Sequence, residues 1–309
     1  MRAKSGEQEF IEIFKRLKSP ALVAKELNIS VRAVYRRRKF LAQKFGADLS
    51  VNTYNKQYTY LPDNRRVAHH EVQNGHIFIA SDCHYWPDIE TTAHKAFVKL
   101  IGEMKPQTII LNGDVFDGAQ VSRHPPLMGV VTPTPKQEIE ACQDRLHEIS
   151  MASKNAKKFW TFGNHDTRLF SRIAAHAPEL TDMVSLFDHF PGWHTCWRVD
   201  INHDIVVKHR WSGGVHSNFN NTVKSGKTMV TGHLHMLKIS PFSDFLGRRW
   251  GVDSGTLAEP LGDQFCYVEE NPVNWASGFV VLTIKDGMLL PPELCEVLDG
   301  VAYFRGKAV

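Results

Sequence analysis

Five short polar motifs stand in one order along this 309-residue chain, each closing a short apolar run. They are Asp82-Cys83-His84, Gly113-Asp114-Val115-Phe116-Asp117, Gly163-Asn164-His165-Asp166, His209 and Gly232-His233-Leu234-His235. The runs before them, 77–80, 108–112, 159–162, 205–208 and 228–231, are rich in β-branched and aromatic residues and read as strands. Helical patterns at 91–104, 135–157 and 166–177 intervene. Open α/β sheets receive ligands at the carboxyl ends of their strands, where every motif falls. Further strand patterns near 249–252 and 278–284 predict a second sheet packed on the first. The expected architecture is therefore α/β, a two-sheet sandwich in α-β-β-α layers.

The motifs supply carboxylates, imidazoles and one amide. Any one of them occurs readily by chance; five in order, each at a strand end and most beside a glycine, do not. Such a set can hold two divalent cations side by side, and a metal pair about 3.5–4 Å apart is a clamp for in-line displacement at phosphorus. Oxygen and imidazole donors without thiolate suit Mn foremost, with Fe, Zn, Ni and Mg compatible.

Bulk properties bound the rest. With 42% apolar and 23% charged residues, the chain has an ordinary globular composition. It has no apolar run near the ~20 residues of a membrane span. The first residues, Met1-Arg2-Ala3-Lys4-Ser5-Gly6-Glu7, lead into a charged amphipathic stretch rather than a secretory signal. Five scattered cysteines form no C-x-x-C pair, so free thiols and a cytoplasmic location are expected, with no membrane partner. The net charge of +4 is unevenly spread. Residues 1–45 hold twelve Lys or Arg against four Glu, a net of +8, which leaves −4 for the remainder. A basic head on a mildly acidic body points to a polyanionic partner for the head.

That head reads as helices. Phe10, Ile11, Ile13, Phe14 and Leu17 recur at helical spacing until Lys18-Ser19-Pro20 breaks the run. A second short helix spans 21–27, Asn28-Ile29-Ser30 turns, and Ser30 is placed to cap a third helix from Val31. The third helix carries Val34, Tyr35, Phe40 and Leu41 among Arg32, Arg36, Arg37, Arg38 and Lys39. Residues 24–37 resemble a helix-turn-helix of the recombinase and phage-regulator type, with Asn28 in place of the usual turn glycine. The resemblance implies DNA as partner, met by those basic residues from the third helix, and admits a dimer. The alternative is a helical bundle used for oligomerisation. Residues 46–75 read as a polar linker, with Tyr54, Tyr58 and Tyr60 and a turn at Pro62-Asp63-Asn64 that admits one β-hairpin, and 76–309 as the catalytic domain.

From about residue 76 to 285 the pattern D-x-H, G-D-x-x-D, G-N-H-[DE], a strand-end His and G-H-x-H resembles the calcineurin-like metallophosphoesterase superfamily, Mre11/SbcD-like nucleases included. The resemblance implies a first cation held by Asp82, His84, Asp114 and His235, and a second held by Asp114, Asn164, His209 and His233. Asp114 would bridge, since two cations must share one anion, and Asn164 would offer a neutral oxygen. It further implies a bridging hydroxide as nucleophile, His165 as general acid and Asp117 as its orienting carboxylate. One departure is Arg210, which follows His209 where a glycine is usual. Arg210, Arg123 and Arg168, each close behind a metal motif, are candidates for gripping a substrate phosphate. Cys83 reads as a small buried side chain.

Three functions follow as expectations. The leading one is a dimetal phosphodiesterase or nuclease brought to DNA by its head. The second is a phosphatase or phosphodiesterase acting on a small-molecule or protein phosphoester, the head serving regulation or assembly. The third is a DNA-binding regulator with an inert phosphoesterase scaffold, against which the complete ligand set and the retained His165 count. Specificity is expected in the loops 118–134, 193–197 and 259–275.

Overall fold

In a computed structural model, described for residues 6–17, 20–46, 49, 66–124, 129–181, 183–269 and 271–309, the chain divides into two compact units, Met1–Tyr60 and Leu61–Val309. The expected turn at Pro62-Asp63-Asn64 and the tyrosines before it lie outside the described residues.

The first unit contains α1 (Gly6–Leu17), α2 (Pro20–Glu26) and α3 (Val31–Phe45). Phe10, Phe14, Val23, Ala24, Val34, Leu41 and Leu49 form its core. Asn28 makes the turn before α3 with φ at 52°, a left-handed conformation that Asn tolerates better than most side chains. The Ser30 hydroxyl accepts from the Ala33 N–H at 3.2 Å and caps α3. Tyr35 and Phe40 stay on the surface, 51% and 55% exposed. The buried stripe of α3 is thus narrower than its apolar sequence.

The second unit is built on strands β1 (Val67–His70), β2 (Gly75–Ala80), β3 (Thr108–Asn112), β4 (Lys157–Thr161), β5 (His194–Cys196), β6 (Arg198–Ile201), β7 (Ile205–Val207), β8 (Thr228–Thr231), β9 (Leu237–Asp244), β10 (Gly247–Ser254), β11 (Gly278–Lys285), β12 (Met288–Leu289), β13 (Glu293–Leu298), β14 (Val301–Phe304) and β15 (Lys307–Ala308). One sheet runs β15-β14-β13-β11-β2-β3-β4-β5, with β12 beside β11, and β2 to β5 are parallel. The other runs β1-β6-β7-β8-β10-β9. The fold is a mixed α/β sandwich of two sheets.

Two expectations need correcting. The strand at 278–284 is no part of a second sheet: β11 pairs antiparallel with β2 at the centre of the first. Instead β7 and β8, which carry the last two motifs, belong to the second sheet with β10. Also, β1 falls inside the stretch 46–75 read as linker, where it pairs in parallel with β6. Its four residues, Val67-Ala68-His69-His70, give too short an apolar signal to register.

Alternation along the central strands sets the layers. Phe78, Ala80, Ile109 and Leu111 face one core, packed against α4 (Thr92–Met104) and α5 (Pro135–Ala152). Ile77, Ile79 and Ile110 face the other way and meet Val207, Val230 and Val252 of the second sheet. α5 ends at Ala152, earlier than its periodicity suggests, since β4 begins at Lys157. α6 (Arg168–His176) and α7 (Ser217–Ser225) are the other α-helices among the described residues of this unit. Among the described residues no helix is long and apolar enough to cross a membrane.

Ile110 is fully buried between the sheets. Ile110→Ala is expected to cost about 2–5 kcal/mol, read as a lower urea midpoint at unchanged slope for the transition followed by tryptophan fluorescence.

Candidate metal centre

The apolar strands stop where the chain must turn, and the motif residues occupy those turns. Asp82 and His84 follow β2, Asp114 follows β3 and Asn164 follows β4, all in the first sheet. His209 follows β7, while His233 and His235 follow β8, in the second. The turns are tight. Asp82, His84, Asp114, His233 and His235 all have left-handed backbone, with φ between 42° and 71°. Each such residue costs of order 1–3 kcal/mol and persists only where its surroundings over-determine it. Glycines let the loops approach: a Cβ on Gly163 would lie 2.0 Å from Asp114 Oδ1, and one on Gly113 2.4 Å from His209 Nδ1.

Donor atoms gather as a result into overlapping sets, each within 4.8 Å: Asp82 with His84 and His235, Asp114 with His209 and His233, and His84 with Asp114 and His165. Asp114 and His84 each belong to two sets. The partners of these side chains point away from the centre. His84 Nδ1 lies 3.0 Å from Asp117 Oδ1, and His209 Nδ1 donates to the Asn112 carbonyl at 2.7 Å. Asp82 Oδ2 accepts the His233 N–H at 2.9 Å. Toward the centre, Asp82 Oδ1, His84 Nε2, Asn164 Oδ1 and His209 Nε2 are buried without a hydrogen-bond partner, while His209 Nε2 lies 3.1 Å from Asp114 Oδ2 and His235 Nε2 lies 3.2 Å from Asp82 Oδ1. Buried polar atoms are ordinarily paired, so orphaned donor atoms gathered about Asp82 and Asp114 fit cations well. Outer partners on the far ring nitrogens are how ligating histidines are commonly oriented.

Electrostatics agree. Burial works against a charged Asp114, yet His209 and His165 outweigh it and hold the carboxyl well below its usual range. Burial equally opposes a charge on His209, but Asp114 and Asp82 push it up to about 10. Negative and lone-pair donors this close demand positive charge between them.

Asp117 does more than orient His165. Its Oδ1 is 2.7 Å from His165 Nδ1 as well as 3.0 Å from His84 Nδ1, and its Oδ2 accepts the Trp86 indole N–H at 3.0 Å. Burial would raise this carboxyl; hydrogen bonds from His165 and His84 reverse that and hold it well below normal. Arg168 donates to the Asp117 carbonyl and to His165 Nε2, both at 2.9 Å. A guanidinium can only donate, so in this arrangement His165 carries its proton on Nδ1 and presents a lone pair at Nε2.

Several contributors have no signal of spacing. Asp166 stands inside a metal motif but outside its ligand set; its buried carboxylate accepts from the backbone N–H groups of Asp114, Val115, Phe116 and Gly163 and from the Trp160 indole, at 2.8–3.1 Å. Glu138 on α5 accepts from Gly118 and Ala119 N–H at 2.6 and 2.9 Å, tying down the loop after Asp117. From the loop 259–275, Phe265 packs on His84 and His235 at 5.0 and 5.1 Å between centroids, and Trp275 on His235 at 4.4 Å. Lone aromatics in a loop look alike whether they wall a site or not. Trp193, in a loop expected to govern specificity, is buried in the core instead. Cys83 is buried, and burial pushes its thiol well above the ordinary range, which leaves no thiolate at the centre.

The arginines differ among themselves. Arg168 is half-buried against His165, while Arg123 and Arg210 are exposed and line a groove with Asn164. On α3, Arg32, Arg36 and Lys39 are exposed. Arg37 instead donates to the Gly6 carbonyl at 2.6 Å and lies 5.1 Å over the Phe10 ring, and Arg38 sits 5.9 Å over Phe14. Those two brace their own unit.

Residues 75–247, more than half of the chain, match the calcineurin-like phosphoesterase family, and the chain belongs to it. Members are metal-dependent phosphoester hydrolases with a dimetal centre. Solved structures similar to the chain include Vps29 of Entamoeba histolytica complexed with zinc, at 14% identity and TM-score 0.41, covering 75% of this chain and 98% of that one. They include also YfcE, a phosphoesterase of E. coli, at 18% and 0.34, covering 70% and 97%. A third is the Pseudomonas putida nuclease MPE, at 15% and 0.32, covering 70% and 86%. No curated protein matches the chain.

Saturating MnCl2 is expected to raise the melting temperature of the wild type, and EDTA to reverse the rise. A ligand bound only by the folded state adds about 2.7 kcal/mol at roughly 100-fold its Kd. Asp114→Asn, which removes the shared anion, is expected to lose most of that rise in differential scanning calorimetry.

Proposed function

We propose that this chain is a dimetal phosphodiesterase, a nuclease acting on DNA, with a basic N-terminal unit that holds the polymer. The observation that carries the reading is the set of unsatisfied donor atoms, Asp82 Oδ1, His84 Nε2, Asn164 Oδ1 and His209 Nε2, gathered at Asp82 and Asp114. The reading assigns Asp82, His84, Asp114 and His235 to one cation, and Asp114, Asn164, His209 and His233 to the other. Cations held there supply the positive charge that stabilises a phosphoryl transition state and acidifies attacking water.

The chain's own groups supply the rest. His165 sits beside the paired carboxylates on a ring fixed by Asp117, where it can pass a proton to the leaving oxygen from Nε2. In the arrangement described, Arg168 occupies that nitrogen. Proton donation therefore requires Arg168 to turn away and Nε2 to take up a proton from solvent, giving an imidazolium that the Asp117 carboxylate stabilises. A substrate phosphate, being anionic and bidentate, is the natural group to draw Arg168 off. Phosphate capture by Arg168 and release of Nε2 become one event. Because Asp117 also orients His84, loss of its carboxylate would disturb the cation and the proton donor together.

DNA as the polymer rests on the first unit. Its net charge of +8 over residues 1–45 and the exposed Arg32, Arg36 and Lys39 on a capped third helix suit a helix placed in a major groove.

Two measurements test these halves separately. With Mn²⁺ and bis-p-nitrophenyl phosphate, His165→Ala is expected to lower kcat by about 10²–10⁴-fold with the metal-induced thermal shift retained. Retained turnover removes His165 from the reaction. Against duplex DNA, the triple variant Arg32→Ala, Arg36→Ala, Lys39→Ala is expected to flatten the slope of log K on log salt by about 0.9 for every phosphate no longer neutralised. An unchanged slope takes DNA away from the first unit.

A further inference from the structure

A groove of about 400 Å³ leaves the metal centre at Asn164 and runs along α6. Its walls hold four arginines, Arg123, Arg168, Arg172 and Arg210, with His124 and His176, and no carboxylate among the described residues. Arg123, Arg172 and Arg210 are exposed, and none has a salt bridge among the described residues. Arg168 is ion-paired with Asp117 at 3.5 Å, but the other three repel one another, and a bound polyanion would relieve that repulsion.

The spacing is regular. Arg168, Arg172 and His176 stand at i, i+4 and i+8 on α6, so they form one stripe with a rise of about 6 Å per step. The opposite face of α6 is what holds it in place: Leu169 and Phe170 pack on the core, Phe170 stacking on Phe187 at 5.6 Å. The helix is thus anchored on its apolar side and presents a ladder of cations on the other. Its first rung touches His165; its second, Arg172, also lines an open concavity farther out, shared with Arg123 and His124.

We propose that α6 is a rail for a single nucleic-acid strand, along which Arg172 and Arg123 grip phosphates beyond the one being cleaved. The proposal rests on the phosphodiesterase reading above and names its substrate class: a polynucleotide strand or strand end, rather than a monoester or an isolated diester. A monoester has one phosphate and would leave the outer rungs unused. A slot at the lower end of ligand-pocket sizes, roughly 300–1,000 Å³, takes one backbone and leaves a duplex outside. The described lining of the groove holds no stacked aromatic platform, so recognition is through phosphates and is indifferent to base sequence.

The test uses the full chain with Mn²⁺ and follows bis-p-nitrophenyl phosphate, a thymidine dinucleotide and a thymidine tetranucleotide. In the wild type kcat/KM is expected to climb from the dinucleotide to the tetranucleotide, with bis-p-nitrophenyl phosphate, whose leaving group is activated, as the reference for the chemistry alone. In Arg172→Ala the ratio of tetranucleotide to bis-p-nitrophenyl phosphate is expected to fall about tenfold, the scale of one charge-assisted hydrogen bond, carried by KM. Arg172→Lys should recover part of it, which a merely structural role on α6 would not predict. An unchanged ratio in Arg172→Ala and Arg123→Ala overturns the rail, as does an equal gain for a blunt duplex of the same length. Should no diester be cleaved at all, the phosphodiesterase reading fails, and binding still decides the rail. Tetranucleotide binding to Arg172→Ala must then show a salt slope shallower by about 0.7, the value per phosphate of a single strand. The same slope as wild type ends the proposal.

Discussion

A single carboxylate with five N–H donors holds the centre of this enzyme in shape. Asp166 is wholly buried, and its two oxygens accept from Asp114, Val115, Phe116, Gly163 and the Trp160 indole. Four of those donors come from the turns after β3 and β4 and the fifth from Trp160 within β4, so one side chain fixes the mutual position of Asp114 and Asn164. It also satisfies backbone groups that a left-handed turn at Asp114 withdraws from the β3 ladder. Burial and the neighbouring Asp114 push the Asp166 carboxyl up to about 6, the sign of an anion kept where water cannot reach it. Without that clamp nothing would hold two acids and four imidazoles at such close quarters.

Strain and close approach follow from the clamp. Five of the fourteen non-glycine residues with left-handed backbone, among those described, belong to the seven proposed ligands. Reversing the chain within a residue or two of each strand end aims neighbouring side chains inward, at a conformational cost the rest of the fold must offset. The sandwich offsets it: Ile77, Ile79, Ile110, Val207, Val230 and Val252 bury a dry seam between the two sheets just beneath the site. Because three motifs end strands of one sheet and two end strands of the other, the seam that stabilises the fold is also what registers the two halves of the ligand set.

What was legible in the sequence was what periodicity and spacing encode. The strands carrying the motifs and the capped third helix could be named from order and spacing, and the residues that converge on the centre from the motifs together with the family they resemble. The partition into sheets could not. Alternating β and α segments suggest one doubly wound sheet, and nothing local tells β11 that it pairs with β2 or β8 that it does not. The four-residue strand β1 is hidden in a polar stretch for the same reason. Within the site, Asp117 looks in sequence like a partner for His165 alone. Its bond to His84 depends on a long-range approach between the turns after β2 and β3. Arg37 and Arg38 look like groove-facing cations, yet rings of α1 lie under them, a contact no helical wheel of α3 displays.

Net charge also misleads in an instructive way. Outside the first 45 residues the chain carries −4, which taken alone would repel a nucleic acid. At physiological salt, however, charges separated by more than about 8 Å are largely screened, so a strand responds to the surface within a few ångströms of it. A strand on the proposed rail would meet Arg123, Arg168, Arg172 and Arg210 with no carboxylate among the described residues of the lining. The acids behind that −4 include Asp82, Asp114, Asp117 and Asp166, which are buried against imidazoles or backbone N–H groups. Their charge is directed inward. The part of the chain beyond residue 45 is thus acidic in sum and basic along the outer part of α6, and a strand held as proposed would meet only the second.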